Sequence, residues 1–307
     1  MPIPVILDCD PGTDDAIAIL LALASPELSV LAITVAGGNV GLNRTLPNAL
    51  ALTALAGSTV PVHAGADRPL LGAFVSETGV HGENGLGGVV LPPGGAPASG
   101  LAADAIRNLL RNATEPVTLI GIGPATNLAL ALTTEPALTA SVKQIVLMSG
   151  AWAEGNVTPA AEFNAWSDPE ALAILLACGR PVVFATLELT AQALTTPDRI
   201  ASWRGLGNGR SLKAACDIQA TVPPSRRLGG TGAPLHDPCA VAWLIRPDLF
   251  TTRACSVRMD LGPGPGRGRT VIDRWGRTGD ALNAVVLETV DADGLFELLG
   301  QRLALLP

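Results

Sequence analysis

The sequence predicts a single-domain α/β protein in which helices flank a mostly parallel central sheet. Three observations support this fold class. The chain has 307 residues, 48% of them hydrophobic and 15% charged, which is enough apolar surface for one large core. Short apolar runs alternate with longer helix-like stretches, and no linker divides them. The runs are apolar at nearly every position, which is typical of parallel strands buried on both faces.

The elements follow in order along the chain. Strands are predicted at the short apolar runs Ile3–Leu7, Val30–Ala36, Val60–Ala64, Val117–Ile122, Gln144–Met148 and Val182–Leu187. Helices are predicted between them, at Asp14–Ala24, Leu42–Leu55, Leu101–Arg111, Thr126–Leu132 and Pro169–Cys178. The last third predicts a helix over His236–Ile245, a hairpin of Val257–Asp260 with Arg269–Asp273, and a final strand and helix over Asn283–Val290 and Asp291–Leu303. Ligands of such a sheet bind beyond the carboxyl ends of its strands.

Two segments rich in glycine and proline interrupt the alternation, Gly72–Gly100 and Thr221–Gly232. Long loops inside a compact domain often close over a site, so both are candidate lids. The alternative is a variable surface loop without a functional role.

Charge and cysteine content restrict the partners and the compartment. The chain carries 20 basic and 27 acidic residues, a net charge of −7, without a dense Lys/Arg run, so a nucleic-acid partner is not expected. The longest apolar span, Ala16–Ala24, is too short to cross a membrane. The five cysteines are scattered and odd in number, and the first residues do not resemble a secretory leader. We therefore expect free thiols and a cytoplasmic protein.

An acidic turn follows the first predicted strand. Asp8, Asp10, Asp14 and Asp15 lie within eight residues, and the turn formed by Pro11 and Gly12 should make them converge. Two unit charges 4 Å apart repel by about 4 kcal/mol at an effective dielectric of 20. Because Lys and Arg are absent from the first 43 residues, a hard divalent cation, Ca²⁺ or Mg²⁺, would relieve this repulsion. A solvated turn in which Asp14 caps the next helix is the alternative.

A second alternative is a phosphatase of the haloacid dehalogenase type, acting with Mg²⁺, because such enzymes also begin with Asp-x-Asp after a strand. That chemistry needs a lysine to bind the phosphate. The chain offers only Lys143 and Lys213.

Six motifs, in order, resemble the inosine–uridine preferring nucleoside hydrolase family. They are Asp8–Ala16, Gly38-Asn39, His81–Gly87, Gly123–Asn127, Gly155–Asn164 with Asp168–Ala171, and Leu235–Pro238. The resemblance implies a Rossmann-like nucleoside hydrolase fold and Ca²⁺-dependent hydrolysis of the N-glycosidic bond of ribonucleosides, which yields ribose and the free base. It also implies a homodimer or a homotetramer.

The resemblance implies a role for each matching residue. Ca²⁺ would be held by Asp10, Asp15, Asp237 and the backbone carbonyl of Thr126, and a metal-bound water would attack the anomeric carbon. Asp10 would act as the base, with Asp14 close by, and His236 as the general acid at the leaving base. The substrate-binding set would be Asp14, Asn39, His81, Asn156, Glu162, Phe163, Asn164 and Asp237. Taken alone, Asp237 and Thr126 would be interpreted as helix N-caps.

The sequence departs from the family pattern in two places. It contains no tyrosine, whereas family members often carry tyrosines in the region that corresponds to Asp217–Leu228. Glu188 and Ala191 also differ from the usual Asp-Val-Thr-His at that point. These departures leave the preferred base open. They also leave open the alternative of a protein that binds ribonucleosides without hydrolysing them.

Overall fold

The computed structural model describes residues 1–307 and has a nine-stranded central sheet with helices on both faces. The strand order is β10-β9-β11-β6-β5-β4-β1-β2-β3. All neighbouring strands are parallel except β9, which runs antiparallel to both β10 and β11. A separate two-stranded antiparallel ladder joins β7 and β8. The predicted α/β fold with a mostly parallel sheet is confirmed.

The strands are β1 (Ile3–Cys9), β2 (Leu28–Val35), β3 (Val62–Ala64), β4 (Val117–Gly121), β5 (Val142–Met148), β6 (Val182–Ala185), β7 (Leu194–Thr195), β8 (Ala233–Pro234), β9 (Phe250–Met259), β10 (Thr270–Asp273) and β11 (Ala284–Val290). The helices are α1 (Thr13–Ala24), α2 (Leu42–Leu55), α3 (Thr78–His81), α4 (Ala102–Arg111), α5 (Thr126–Thr134), α6 (Phe163–Ser167), α7 (Pro169–Ala177), α8 (Leu187–Thr190), α9 (Pro197–Arg204), α10 (Arg210–Gln219), α11 (Pro238–Ile245) and α12 (Ala292–Leu303). Three short 3₁₀ turns lie at Pro136–Ser141, Arg226–Leu228 and Pro247–Leu249.

The sheet divides the core into two layers. Along β1, Val5 and Leu7 pack into one apolar cluster, and Ile6 packs into the other. The first cluster includes residues of α1, α10, α11 and α12, and the second those of α4, α5 and α7. Because successive side chains of a strand point to opposite faces, a strand covered on both faces must be apolar throughout. This is why β1 contains a continuous apolar run.

Several elements differ from the prediction. The helices α9 and α10 were not predicted, because their sequences are more polar than those of the central helices. β6 ends at Ala185, and Leu187 begins α8 instead of ending the strand. α11 begins at Pro238 and not at His236, and β9 begins as early as Phe250. None of the helices combines the length and apolar character that crossing a bilayer requires.

Candidate active site

The acidic turn lies at the carboxyl end of β1, and Asp15 organises it. The backbone N–H of Gly12 donates to Asp15 Oδ2 at 2.9 Å, and the N–H of Asp10 donates to Asp15 Oδ1 at 3.1 Å. The side-chain amide of Asn39 donates to the same Oδ2 at 2.9 Å. The acid that caps α1 is thus Asp15 and not Asp14, which leaves the Asp14 carboxylate free of any capping bond.

Asp10 is enclosed by the loops that follow β2 and β4. Its Oδ2 accepts the backbone N–H of Asn39 at 2.6 Å, and its Oδ1 is buried without a hydrogen-bond partner. A Cβ on Gly38 would lie 2.0 Å from Oδ2, and one on Gly123 would lie 2.3 Å from Oδ1. Only glycine therefore allows both loops to approach the carboxylate this closely.

Asp237 joins the turn from the other end of the chain. It directly precedes α11 but makes no capping hydrogen bond, so the N-cap interpretation does not apply. Carboxylate oxygens of Asp14, Asp15 and Asp237 lie within 4.8 Å of one another, and all three side chains are buried. Asp10 lies outside this group of three, although its carboxylate is close enough to repel that of Asp15.

The cluster concentrates negative charge without a basic neighbour. No ion pair of the molecule includes any of these aspartates. Burial, followed by repulsion from Asp14, raises the pKa of Asp15 to about 7. Burial together with neighbouring carboxylates raises the pKa of Asp10 and of Asp237 well above the ordinary value. Three buried acids whose pKa values are raised in this way require a cation or protons.

Thr126 begins α5, beyond the carboxyl end of β4. Its hydroxyl donates to Asp168 Oδ2 at 2.6 Å instead of capping its own helix. Asp168 also accepts the backbone N–H of Leu70 at 2.8 Å and caps α7 through the N–H of Ala171. These bonds fix the backbone at Thr126.

A cavity of about 340 Å³ opens above the cluster. Nine of the predicted residues line it: Asp14, Asn39, His81, Asn156, Glu162, Phe163, Asn164, His236 and Asp237. Asp10, Asp15 and Thr126 are buried and do not line it. The remaining wall includes apolar residues of the segment after α10, together with Gln219 and Ser225.

Hydrogen bonds within the protein fix which atom of each amide faces the cavity. Asn164 Nδ2 donates to the carbonyls of Ile122 and Met148, and Asn39 Nδ2 donates to Asp10 and Asp15, so both present the acceptor Oδ1. Asn156 instead accepts the N–H of Phe163 and presents the donor Nδ2.

Glu162 is 2% exposed and accepts four hydrogen bonds. Its Oε2 accepts from Ser149 Oγ and from the backbone of Gly150 and Ala165, and its Oε1 accepts only the N–H of Asn164. Oε1 therefore keeps a lone pair for a ligand hydroxyl. Together the four side chains offer three acceptors and one donor, which suits a set of sugar hydroxyls.

Two histidines line the cavity, and a threonine hydroxyl lies near Nδ1 of each ring. His81 Nδ1 accepts the backbone N–H of Thr13 at 3.1 Å and lies 3.0 Å from the Thr13 hydroxyl. A backbone N–H can only donate, so the neutral His81 ring carries its hydrogen on Nε2. His236 Nδ1 lies 2.7 Å from the hydroxyl of Thr190. Burial lowers the pKa of both rings, and the charge of Asp14 opposes the effect.

The two candidate lids lie beside the cavity. The first carries His81 on the short helix α3, and the second contributes Val222 to Ser225 to the wall. Arg227 of the second lid donates to the carbonyl of Gly155 at 2.8 Å and pairs with Glu154 at 2.7 Å. These two contacts connect the second lid to the loop that carries Asn156.

The structure explains one departure from the family pattern. Glu188 accepts the backbone N–H groups of Trp152 and Ala153 at 3.2 and 2.7 Å. It thereby supports the loop that leads to Asn156. Nothing in the structure explains why Ala191 replaces a histidine.

Neither lysine lines the cavity. Lys143 is an exposed residue near the start of β5, and Lys213 is exposed on α10. The lysine that the phosphatase interpretation requires is therefore not present at this site.

Sequence reasoning missed three polar residues of the site. Thr13 lies inside the acidic motif and could have been noticed there, and Thr190 is the position at which the Glu188–Ala191 segment agrees with the usual Asp-Val-Thr-His. Gln219, whose amide donates to the carbonyl of Thr13 at 2.7 Å, lies on the unpredicted helix α10 and carried no signal.

Comparison with known proteins shows which family this chain is similar to. The profile of the family described as inosine-uridine preferring nucleoside hydrolase matches residues 5–297. The pyrimidine-specific ribonucleoside hydrolase RihA of Salmonella gallinarum is 45% identical over 307 residues, covering 99% of both chains.

Two solved structures are similar over nearly the whole chain. The purine-preferring ribonucleoside hydrolase of Gardnerella vaginalis has a TM-score of 0.89 and 32% identity, covering 98% of both chains. The plant nucleoside hydrolase PpNRh1 has a TM-score of 0.91 and 31% identity, covering 99% of both chains. The full-length family match and these relatives establish that the chain belongs to the inosine–uridine preferring nucleoside hydrolase family, a family of ribonucleoside hydrolases.

Proposed function

We propose that this protein hydrolyses the N-glycosidic bond of ribonucleosides to ribose and the free base, and that it uses Ca²⁺ to do so. The observation that carries the proposal is a cavity with buried carboxylates at its floor, sugar-type acceptors along one wall and two histidines. The 45% identity to pyrimidine-specific relatives makes uridine and cytidine the first substrates to test.

The acidic cluster fits a divalent cation on three grounds. Its donors are all oxygens, which hard cations prefer. Asp10 Oδ1 is buried without a partner, and leaving such a carboxylate oxygen unpaired is costly. Burial, and then repulsion between neighbouring carboxylates, raises the pKa values of Asp15 and Asp237, and a cation would relieve that repulsion.

Asp10, Asp15, Asp237 and the carbonyl of Thr126 are the proposed ligands. When bound, Ca²⁺ would supply a positive charge that makes a coordinated water easier to deprotonate. Asp14 and Asp237 belong to the same group of oxygens and both line the cavity, so we assign Asp14 to the substrate and Asp237 to both the cation and the substrate.

The sugar is bound by the polar wall. Asn39 and Asn164 accept hydrogen bonds from ribose hydroxyls, Asn156 donates one, and Glu162 Oε1 accepts another. Because their partners within the protein already fix these orientations, the wall is preorganised for a ribose with all of its hydroxyls.

The reaction needs a base at the water and an acid at the departing nucleobase. Asp10 takes a proton from the attacking water. As the bond from the anomeric carbon to the base breaks, the sugar acquires positive charge, which Asp14 and Glu162 stabilise. His236 donates a proton to the leaving base, whereas His81 contacts the base through its Nε2–H.

Release of reducing sugar from a panel of ribonucleosides tests the proposal. We expect hydrolysis that stops with a chelator, returns with Ca²⁺, and is lost in Asp10→Ala. The control is Asp198→Ala, which removes an exposed carboxylate on α9. Tight nucleoside binding by calorimetry without base release would instead favour a binding protein, and hydrolysis that ignores the chelator would refute the metal role.

A further inference from the structure

We propose that Thr190 is a positioning residue that holds the proton donor His236 with Nε2 facing the substrate. The proposal rests on the proposed function, since it concerns how that reaction is supplied with a proton. The contact that carries it is the 2.7 Å separation between Thr190 Oγ1 and His236 Nδ1.

The fold brings these residues together from distant parts of the chain. Thr190 ends α8, and His236 follows β8. The ladder pairs Leu194 with Pro234, and the N–H of Leu235 donates to the carbonyl of Ala193 at 2.9 Å. These backbone bonds align the two segments, so the contact between Thr190 and His236 is built into the scaffold.

The hydroxyl of Thr190 has a natural acceptor for its own hydrogen. Oγ1 lies 3.3 Å from the carbonyl of Leu187, three residues earlier, which is the usual helical partner of a threonine. With the hydrogen directed there, Oγ1 accepts a hydrogen bond from His236 Nδ1–H. Thr190 is fully buried, so water does not compete for this bond.

Holding a hydrogen on Nδ1 leaves Nε2 as the atom that exchanges protons with the substrate. In the protonated ring, which carries a hydrogen on both nitrogens, Nε2–H breaks as the base takes the proton together with the electron pair of the glycosidic bond, and the ring becomes neutral with Nδ1–H intact. The proton that Asp10 removes from water replaces the lost one through solvent. The hydroxyl of one water thus goes to ribose and a proton goes to the base. Both catalytic groups, Asp10 and His236, return to their starting states.

His81 differs in the decisive respect. Its Nδ1 faces a backbone N–H, which cannot accept, so Nδ1 never carries a hydrogen while that bond lasts. A ring held in this way is a fixed donor through Nε2. The two histidines therefore divide the work: His81 orients the base, and His236, supported by Thr190, supplies the proton.

The test compares Thr190→Val, which removes the hydroxyl but keeps the branched shape, with Thr190→Ser, which keeps the hydroxyl. Thr186→Val is the matched control, because the Thr186 hydroxyl lies at the start of the same helix, equally buried, without any partner. Two substrates are used. The base of uridine needs a proton to leave, whereas nitrophenolate leaves from 4-nitrophenyl riboside without one.

We expect Thr190→Val to lower kcat on uridine by about 10- to 100-fold, the range for a misplaced acid, with little change in KM. Turnover of the nitrophenyl riboside should stay within about threefold of wild type for an effect confined to the acid. Thr190→Ser and Thr186→Val should retain activity on both substrates. Equal losses on the two substrates would show that Thr190 has a merely structural role. An unchanged kcat on uridine would show that Thr190 has no role in the reaction. Either result overturns the proposal.

A second readout is independent of turnover. Selective ¹⁵N labelling of the three histidines should show the neutral His236 ring protonated on Nδ1 in wild type and shifted towards Nε2 in Thr190→Val. A wild-type His236 ring protonated only on Nε2 would refute the role of Thr190. A wild type that cleaves neither riboside would refute the proposed function, whatever the spectrum shows.

Discussion

Replacing Gly38 by alanine tests whether Asp10 belongs to the metal site. The new Cβ would lie 2.0 Å from Asp10 Oδ2 and 2.8 Å from the ring of Pro124. An ordinary contact needs at least 3.4 Å, so the carboxylate must move by about 1.4 Å. That movement breaks the 2.6 Å hydrogen bond from the backbone of Asn39.

The magnitude follows from two costs. Overpacking a buried site costs about 1–3 kcal/mol, and leaving a buried partner of a charged group unsatisfied costs about 1–3 kcal/mol more. We therefore expect the free energy of unfolding to fall by about 2–6 kcal/mol. Displacing a ligand by more than 1 Å should also weaken Ca²⁺ binding by about 10- to 100-fold, the range seen for lost support of a ligand.

Calorimetric titration of Ca²⁺ into chelator-treated protein, together with urea unfolding, measures both effects. The control is Gly95→Ala, because the Cβ there would have no atom within 4 Å. If Gly38→Ala proves too unstable, Gly123→Ala perturbs the same carboxylate from its other oxygen. A folded Gly38→Ala variant with wild-type Ca²⁺ affinity would show that Asp10 is not a ligand.

Three further outcomes are expected. Glu162→Gln should raise KM for ribonucleosides about 10-fold and lower the free energy of urea unfolding by about 1–3 kcal/mol. The reason is that both carboxylate oxygens accept hydrogen bonds, whereas an amide has only one acceptor oxygen. An unchanged KM and an unchanged free energy of unfolding would contradict this. 2′-Deoxyuridine should be cleaved at least about 100-fold more slowly than uridine, because it leaves polar atoms of the wall unpaired, and comparable rates would rule that wall out. Because burial and Asp14 raise the pKa of Asp15 from 3.8 to about 7, the folded Ca²⁺-free protein binds more protons than the unfolded chain between these values. Its free energy of unfolding should fall as pH rises from about 4 to about 7; a rise over that interval would refute the shift.

Most of the framework could be predicted because it depends on local patterns. The bounds of α2 agree with the prediction at both ends, and β1 with its turn was recognised from an apolar run followed by Asp, Pro and Gly. The helices α9 and α10 were not predicted because tertiary packing, and not a strong apolar pattern, determines their conformation.

The site was less accessible to sequence reasoning where contacts span the chain. The acids could be named, and the resemblance assigned Asp14 to the substrate, but nothing in the sequence indicated that Asp15 caps the helix. The partnership of Thr190 with His236 depends on the ladder between β7 and β8, whose strands are two residues long and carry no sequence signal.

The bonds that Asp15 makes to backbone N–H groups and to Asn39 have a consequence for ion selection. These hydrogen bonds come from donors of the protein itself. They hold both oxygens of the Asp15 carboxylate in place before any ion binds. A ligand held in this way resists moving inward around a smaller ion. Magnesium, which demands shorter distances and gives up water reluctantly, should therefore compete poorly here, and stripping and reloading the protein should not require refolding.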